Sequence, residues 1–345
     1  MKKIRILSLD GGGIRGILPG TLLTYMEKKI REKTGDDSAT IGQYFDFIAG
    51  TSTGGILSLL FLCPDANGKF KFSAQEATDL YLKHGSNIFD ISFRKKFMSL
   101  GGLVDEKYDA TNLEKTLKNY FEDTLLSALL KPALITAYDM ENRKTSFFTS
   151  TDANEATKDY FIRDVARATS SAPTYFEPVQ IKSRYGALHT FIDGGVFANN
   201  PALCAYAEAR TIHFADVLND AQKPNNPSAK DMLLISMGTG INKTPYLYND
   251  FKNANKTKWL KPLIDIMMNG NSETVDYELK QMFSTLDVKD EADYYRIQPK
   301  LYTADSDMDN ATSKNLEALR QDGLANVENY QNTLNEIVDK LIENH

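Results

Sequence analysis

The chain has 345 residues, 42% of them hydrophobic and 25% charged, which is ordinary globular material, long enough for one large α/β domain or two small ones. Its 40 basic and 46 acidic residues leave a net charge of -6, arguing against a nucleic-acid polymer as partner, since gripping phosphate backbones needs the opposite excess. No stretch reaches the roughly 18 to 20 uninterrupted apolar residues of a membrane span. The apolar run Ile4–Leu9 is broken by Arg5 and closed by Asp10, unlike a secretory signal. Cys63 and Cys204 sit among apolar neighbours and read as small buried hydrophobes. The expectation is a cytoplasmic protein whose membrane contact, at the inner membrane, is peripheral.

Ile4–Leu9 predicts a buried strand, stopped by glycines before a helical period takes over from Leu18 to Ile30. Phe45–Ala49 repeats the pattern: a strand, then Gly50-Thr51-Ser52-Thr53-Gly54, then an apolar helix over Ile56–Leu62. Two glycine turns at the ends of two strands point to one shared crevice. Helices follow at Ala74–Lys83 and Thr111–Phe121, strands at Ala133–Tyr138 and Thr145–Thr149, and a short helix at Tyr160–Arg167. Thr190–Asp193 predicts a strand running into Gly194-Gly195, Pro201–Phe214 a helix, and Met232–Ser236 a strand. Helices at Trp259–Met268, Thr274–Phe283 and Thr312–Ile342 complete the chain. This alternation predicts the α/β class: a mostly parallel sheet covered by helices on both faces, three layers in a single domain spanning 1–345. Residues 4–240 would form the core, with a mainly helical part, 241–345, packed on it.

Gly50–Gly54 is a G-x-S-x-G sequence at a strand-to-helix turn, the geometry that exposes a serine hydroxyl. Alone it is weak, since on the order of 0.1 such matches arise by chance in a chain of this length. The loop Asp10-Gly11-Gly12-Gly13-Ile14-Arg15-Gly16 is far rarer, with a chance expectation of about 10⁻⁵ to 10⁻⁴. Acyl transfer builds negative charge on a carbonyl oxygen, and backbone N–H groups near a helix N-terminus are suited to receive it. Gly11, Gly12 and Gly13 are therefore the expected oxyanion hole. Arg15 would support them by adding positive potential or by tying down the loop. The same loop satisfies G-x-G-x-x-G, but the second strand ends in Ala49-Gly50 rather than a ribose-binding acid, and no Gly-Lys-Ser/Thr ending makes it a P-loop. Scattered acidic residues offer no calcium loop, so neither metal nor cofactor is expected. For the base, Asp193 competes with four histidines, His84, His189, His213 and His345. Ser52, Asp193 and His213 reproduce the chain order of an α/β-hydrolase triad, but His213 falls inside the predicted 201–214 helix, where packing or a solvated face is the plainer reading.

Asp10-Gly-Gly-Gly-Ile-Arg-Gly16, Gly50-Thr-Ser-Thr-Gly54 and Asp193-Gly-Gly195, in that order, resemble the patatin-like phospholipase family. The segments 170–178 and 233–240 are similar to it as well, and the likeness runs from about residue 4 to 240. The resemblance implies a patatin-like fold and a Ser-Asp dyad, with Ser52 attacking an ester carbonyl and Asp193 taking its proton; Gly50, Gly54, Gly194 and Gly195 would shape the two turns. An unperturbed Asp is a poor base at neutral pH, so its site should be desolvated, and Phe191, Ile192, Val196 and Phe197 are suitable neighbours. The implied substrate is membrane phospholipid, cleaved as by a phospholipase A or lysophospholipase. Two alternatives stay open: an effector silent until a small ligand such as a cyclic nucleotide activates it, as in phage defence, and a catalytically weak lipid-binding protein. Phe89–Leu103 and Trp259–Met268, which mix aromatics and lysines, are candidates for lipid contact. Oligomeric state is not specified by these residues.

Overall fold

The computed structural model describes residues 1–89, 108–241, 245–287 and 293–345, apart from the side chains of 256, 257 and 261. Eight strands, β1 (Ile4–Leu9), β2 (Phe47–Gly50), β3 (Ala133–Asp139), β4 (Lys144–Thr149), β5 (Val179–Lys182), β6 (Leu188–Asp193), β7 (Met232–Met237) and β8 (Tyr294–Ile297), form one sheet. β8, β7, β1, β2 and β3 pair in parallel in that order, whereas β4, β5 and β6 join antiparallel. The helices are α1 (Ile17–Thr34), α2 (Thr53–Leu62), α3 (Ala74–Ile88), α4 (Thr111–Phe121), α5 (Ile162–Thr169), α6 (Gly195–Ala198), α7 (Ala202–Ala209), α8 (Phe214–Val217), α9 (Tyr248–Phe251), α10 (Lys256–Ser284) and α11 (Ser313–Glu343).

The three layers follow from strand alternation. Leu7 and Leu9 of β1, with Leu233, Ile235 and Met237 of β7, pack against α1, α2, α3 and α11. Ile4, Ile6, Met232 and Leu234 point to the other face, against α7 and α10. Both faces are covered, which is why these parallel strands are nearly all apolar, interrupted only at Arg5, Ser8 and Ser236, rather than alternating.

Register places the candidate site. β3 has one edge occupied by β4 along most of its length, while its other edge is divided: β2 pairs with residues 133–135 and β6 with 137–139. β2 runs parallel to β3 and β6 antiparallel, so their C-terminal ends meet. Gly50 lies opposite Ile135 and Asp193 opposite Ala137, roughly 7 Å apart along the strand. The serine turn and Asp193 are thereby brought together from residues far apart in the chain.

Two expectations are corrected. The region after 240 is more than a helical cover, because β8 extends the sheet beside β7. The helix expected over 201–214 ends at Ala209; His213 stands in the turn before α8, paired with the exposed Asp216 at 3.5 Å. Of the two plainer readings, packing or a solvated helix face, it is solvated, but on a turn rather than on a helix.

Candidate active site

β2 ends at Gly50 and α2 begins at Thr53, so the chain reverses over two residues. Ser52 takes φ 55 and ψ -122, a region that costs a non-glycine residue roughly 1–3 kcal/mol. Neighbouring hydrogen bonds fix this conformation. The Ser52 N–H donates to Thr169 Oγ1 at 2.8 Å, the Thr51 N–H to Leu9 O at 3.1 Å, and the Thr51 hydroxyl to Ala198 O at 2.6 Å. A Cβ on Gly54 would stand 2.2 Å from the Leu9 carbonyl oxygen, so α2 can start this close to β1 only with glycine there. Ser52 is left at the N-terminus of an apolar helix, where the helix dipole favours developing negative charge.

Asp193 ends β6 and is 4% exposed. Its Oδ1 accepts the Gly195 N–H at 2.7 Å, and the backbone N–H of Asp193 donates to Ser171 O. Burial pushes the carboxyl up to about 7, while the Ser52 hydroxyl and the Gly195 amide act in the other direction by hydrogen bonding to it. A carboxylate so placed is half-ionised near neutrality, whereas in water it would be fully ionised and a weak base.

The glycine loop is stitched to three other segments. Asp10 N–H donates to Met237 O, Gly11 N–H to Asn199 O, Thr239 Oγ1 to Gly11 O, and Ile14 N–H to Met308 O, all between 2.8 and 3.0 Å. Gly13 has φ 57, and a Cβ there would meet Met308 O at 2.2 Å. Of the three glycines expected to form the oxyanion hole, Gly11 has its amide engaged by Asn199 O, while among the described residues no backbone acceptor outside the helices and strands faces the amides of Gly12 and Gly13. Arg15 is buried, and its Nε donates to Gly12 O at 3.4 Å, which favours loop-tying over direct contact with a reacting group. Asp10 is gripped at both oxygens by Arg296, at 2.9 and 2.6 Å.

Ser52, Asp193, Gly12 and Gly13 share a cavity with an apolar wall that includes Ile56, Leu80, Leu113, Phe176, Met267 and Met308. None of the four histidines lines it. His84 packs on Tyr120, His189 lies 3.5 Å from Asp139, and His345 stacks on Tyr44. Cys63 and Cys204 are both free thiols. Gly50 and Gly194 occupy the tight ends of β2 and β6, as their motifs suggest. Sequence reading missed Thr169, Asn199, Arg296 and Met308. Thr169 directly abuts the segment 170–178 and Asn199 lies four residues after Gly195, so a search for hydroxyl and amide side chains near the motifs would have found them; Arg296 and Met308 carry no local signal. Of the two proposed lipid-contact segments, residues 90–103 lie outside the described ones.

Comparison with known proteins identifies the family. The family model for patatin-like phospholipases matches residues 7–206. The chain is 34% identical to Patatin-like protein 2 of Arabidopsis thaliana over 93% of its own length and 82% of that protein's. It is 32% identical to Patatin-like protein 2 of Oryza sativa subsp. indica (92% and 82%) and 31% to Patatin-17 of Solanum cardiophyllum (93% and 82%). The likeness continues past residue 240, in keeping with β8 and Arg296 being integral to the fold. The chain belongs to the patatin-like phospholipase family, a family of lipid acyl hydrolases.

Proposed function

We propose that the chain cleaves fatty-acyl esters of membrane phospholipids through a Ser52–Asp193 dyad and an acyl-enzyme. One observation carries the reading: a strained serine at a helix N-terminus shares an apolar cavity with a buried aspartate whose pKa is raised to about 7. Ser52 Oγ attacks the ester carbonyl carbon as its proton passes to Asp193. The carbonyl electron pair moves onto oxygen, where the Gly12 and Gly13 amides receive it. Collapse expels the lysolipid oxygen, which takes the proton from Asp193. Water then repeats the sequence on the acyl-enzyme, giving a fatty acid and free Ser52. The apolar wall holds the acyl chain and keeps the carboxylate desolvated.

The test is fatty-acid release from phospholipid vesicles by wild type, Ser52→Ala and Asp193→Asn. Both variants should lose at least about 10³-fold in rate. Equal rates above the uncatalysed level for the three proteins would reject the dyad, and no release above that level by any of them would favour the lipid-binding alternative.

A further inference from the structure

The Ser52 cavity opens against α10, and the outer surface of that helix is unusual. At 3.6 residues per turn, Trp259, Leu260, Leu263, Ile266 and Met267 fall within an arc of roughly 120°, and all five are exposed, Leu263 at 49%. Singly exposed apolar residues need no explanation, but a contiguous stripe does. The stripe continues into the segment before the helix, where Leu247 and Tyr248 are 58% and 73% exposed. On its other side it merges with the cavity, since Ile264, Met267 and Met268 line the wall beside Ser52.

Between residues 246 and 268 the charge is basic in excess, Lys252, Lys256, Lys258 and Lys261 against Asp250 and Asp265. Exposed Lys252 and Lys258 lie over the rings of Tyr248 and Phe251 at 5.8 and 5.3 Å. Asp265 is the single acidic residue between 256 and 268; it falls on the opposite side of the helix and is engaged by the Tyr246 hydroxyl at 2.8 Å. Aromatic rings with lysines beside an aliphatic stripe match a lipid surface with anionic headgroups. A second copy seated here would cover the mouth of the cavity, whereas a bilayer would both cover the stripe and supply acyl chains to the opening. Among the described residues no helix is long and apolar enough to cross a membrane, so such contact would be made from one side.

We propose that the outer face of α10, with residues 246–251, docks on an anionic bilayer surface and sets the cavity mouth against it. The proposal rests on reading that cavity as the acyl site, and its test is separable from catalysis. Trp259 is the only tryptophan in the chain, so its emission reports the stripe alone. Ser52→Ala protein is mixed with vesicles of phosphatidylcholine containing about a third phosphatidylglycerol, with and without brominated acyl chains. Emission should shift to the blue and be quenched by the bromines. Adding Leu263→Asp with Ile266→Asp should weaken vesicle binding at least about tenfold. The same pair in the active protein should slow vesicle hydrolysis about tenfold, while turnover of a monomeric short-chain ester stays within about twofold. Absence of a shift or of quenching, or undiminished vesicle binding by the double variant, would overturn the proposal. So would emission that is already blue without lipid in a protein that sediments as a dimer, the result expected if a second copy covers the stripe. Should hydrolysis itself fail, the fluorescence of Ser52→Ala still decides the docking.

Discussion

At the scale of single residues, the base proposed at Asp193 links chemistry to stability. A base with a pKa near 7 gives kcat/KM that rises with unit slope below pH 7 and levels above it. A pH profile on a monomeric ester should show that limb, and a flat profile down to pH 5 would assign the base elsewhere. The same shift has a stability consequence. In the unfolded chain the carboxyl ionises near its ordinary value of 3.8, whereas in the folded protein it holds its proton to about 7. The folded state therefore binds the extra proton, and its stability falls as pH rises from 4 to 7. The full cost, for a group this buried, is on the order of 4 kcal/mol above pH 7. Asp193→Asn removes the ionisation while its amide oxygen can still accept the Gly195 N–H. It should be inactive yet more stable than wild type, with the gap in urea unfolding opening between pH 4 and 7 and constant thereafter. A gap independent of pH would place its origin in packing rather than in ionisation.

At the scale of elements, what was legible in the sequence depended on whether its cause is local. β1, the glycine loop, the Ser52 turn and α4 are set by runs of apolar residues and by glycines at fixed offsets. β8 was not legible, because Tyr294–Ile297 is only four residues long and becomes a strand by pairing with β7. The break expected after Met268 also fails. Gly270, Asn271 and Ser272 should interrupt a helix, yet α10 runs through them. There the helix crosses α6: Asn271 Nδ2 donates to Phe197 O at 2.9 Å, and Asn199 Nδ2 donates to Ser272 Oγ at 3.2 Å. Tertiary hydrogen bonds thus override local propensity, and they do so beside the Asp193 turn. The meeting of β2 and β6 along one edge of β3 was equally invisible, though both motifs were legible. The Asp10–Arg296 pair shows the energetic side of such distant contacts. Arg296→Ala leaves Asp10 buried without its partner and should cost about 3–5 kcal/mol, with lower activity because Asp10 begins the glycine loop. Combining Arg296→Met with Asp10→Asn should recover more than half of that loss in urea midpoint; no recovery would mean that the guanidinium acts through packing alone.

At the scale of the whole molecule, the sheet has two differently built ends. The proposed chemistry sits at the C-terminal ends of the parallel strands, as in other open α/β sheets. At the opposite end, Asp46 is 1% exposed and joins two cations: Arg5 Nη2 at 2.7 Å and Lys223 Nζ at 2.6 Å. Burial works to raise the Asp46 carboxyl, but Arg5 and Lys223 hold it below the usual range; burial pushes Lys223 down to about 8. Arg5 also donates to Leu341 O, and Lys223 donates to Lys3 O and Asn344 O. One cluster therefore ties β1, the approach to β2, the loop before β7 and the end of α11. Replacing it wholesale by apolar residues could be neutral, because desolvation offsets much of the Coulomb gain, but removing one member leaves buried charge unpaired. Asp46→Ala strands two cations and should lower stability by about 3–5 kcal/mol. Arg5 is four residues from Leu9, roughly 13 Å along β1 from the start of the glycine loop, so the folded variant should keep the wild-type kcat on a monomeric ester. Paired measurements of urea midpoint and kcat separate the two ends. A large midpoint shift with unchanged kcat fits a structural clamp, and a parallel fall in both would mean that strain at this end is transmitted through the sheet to Ser52.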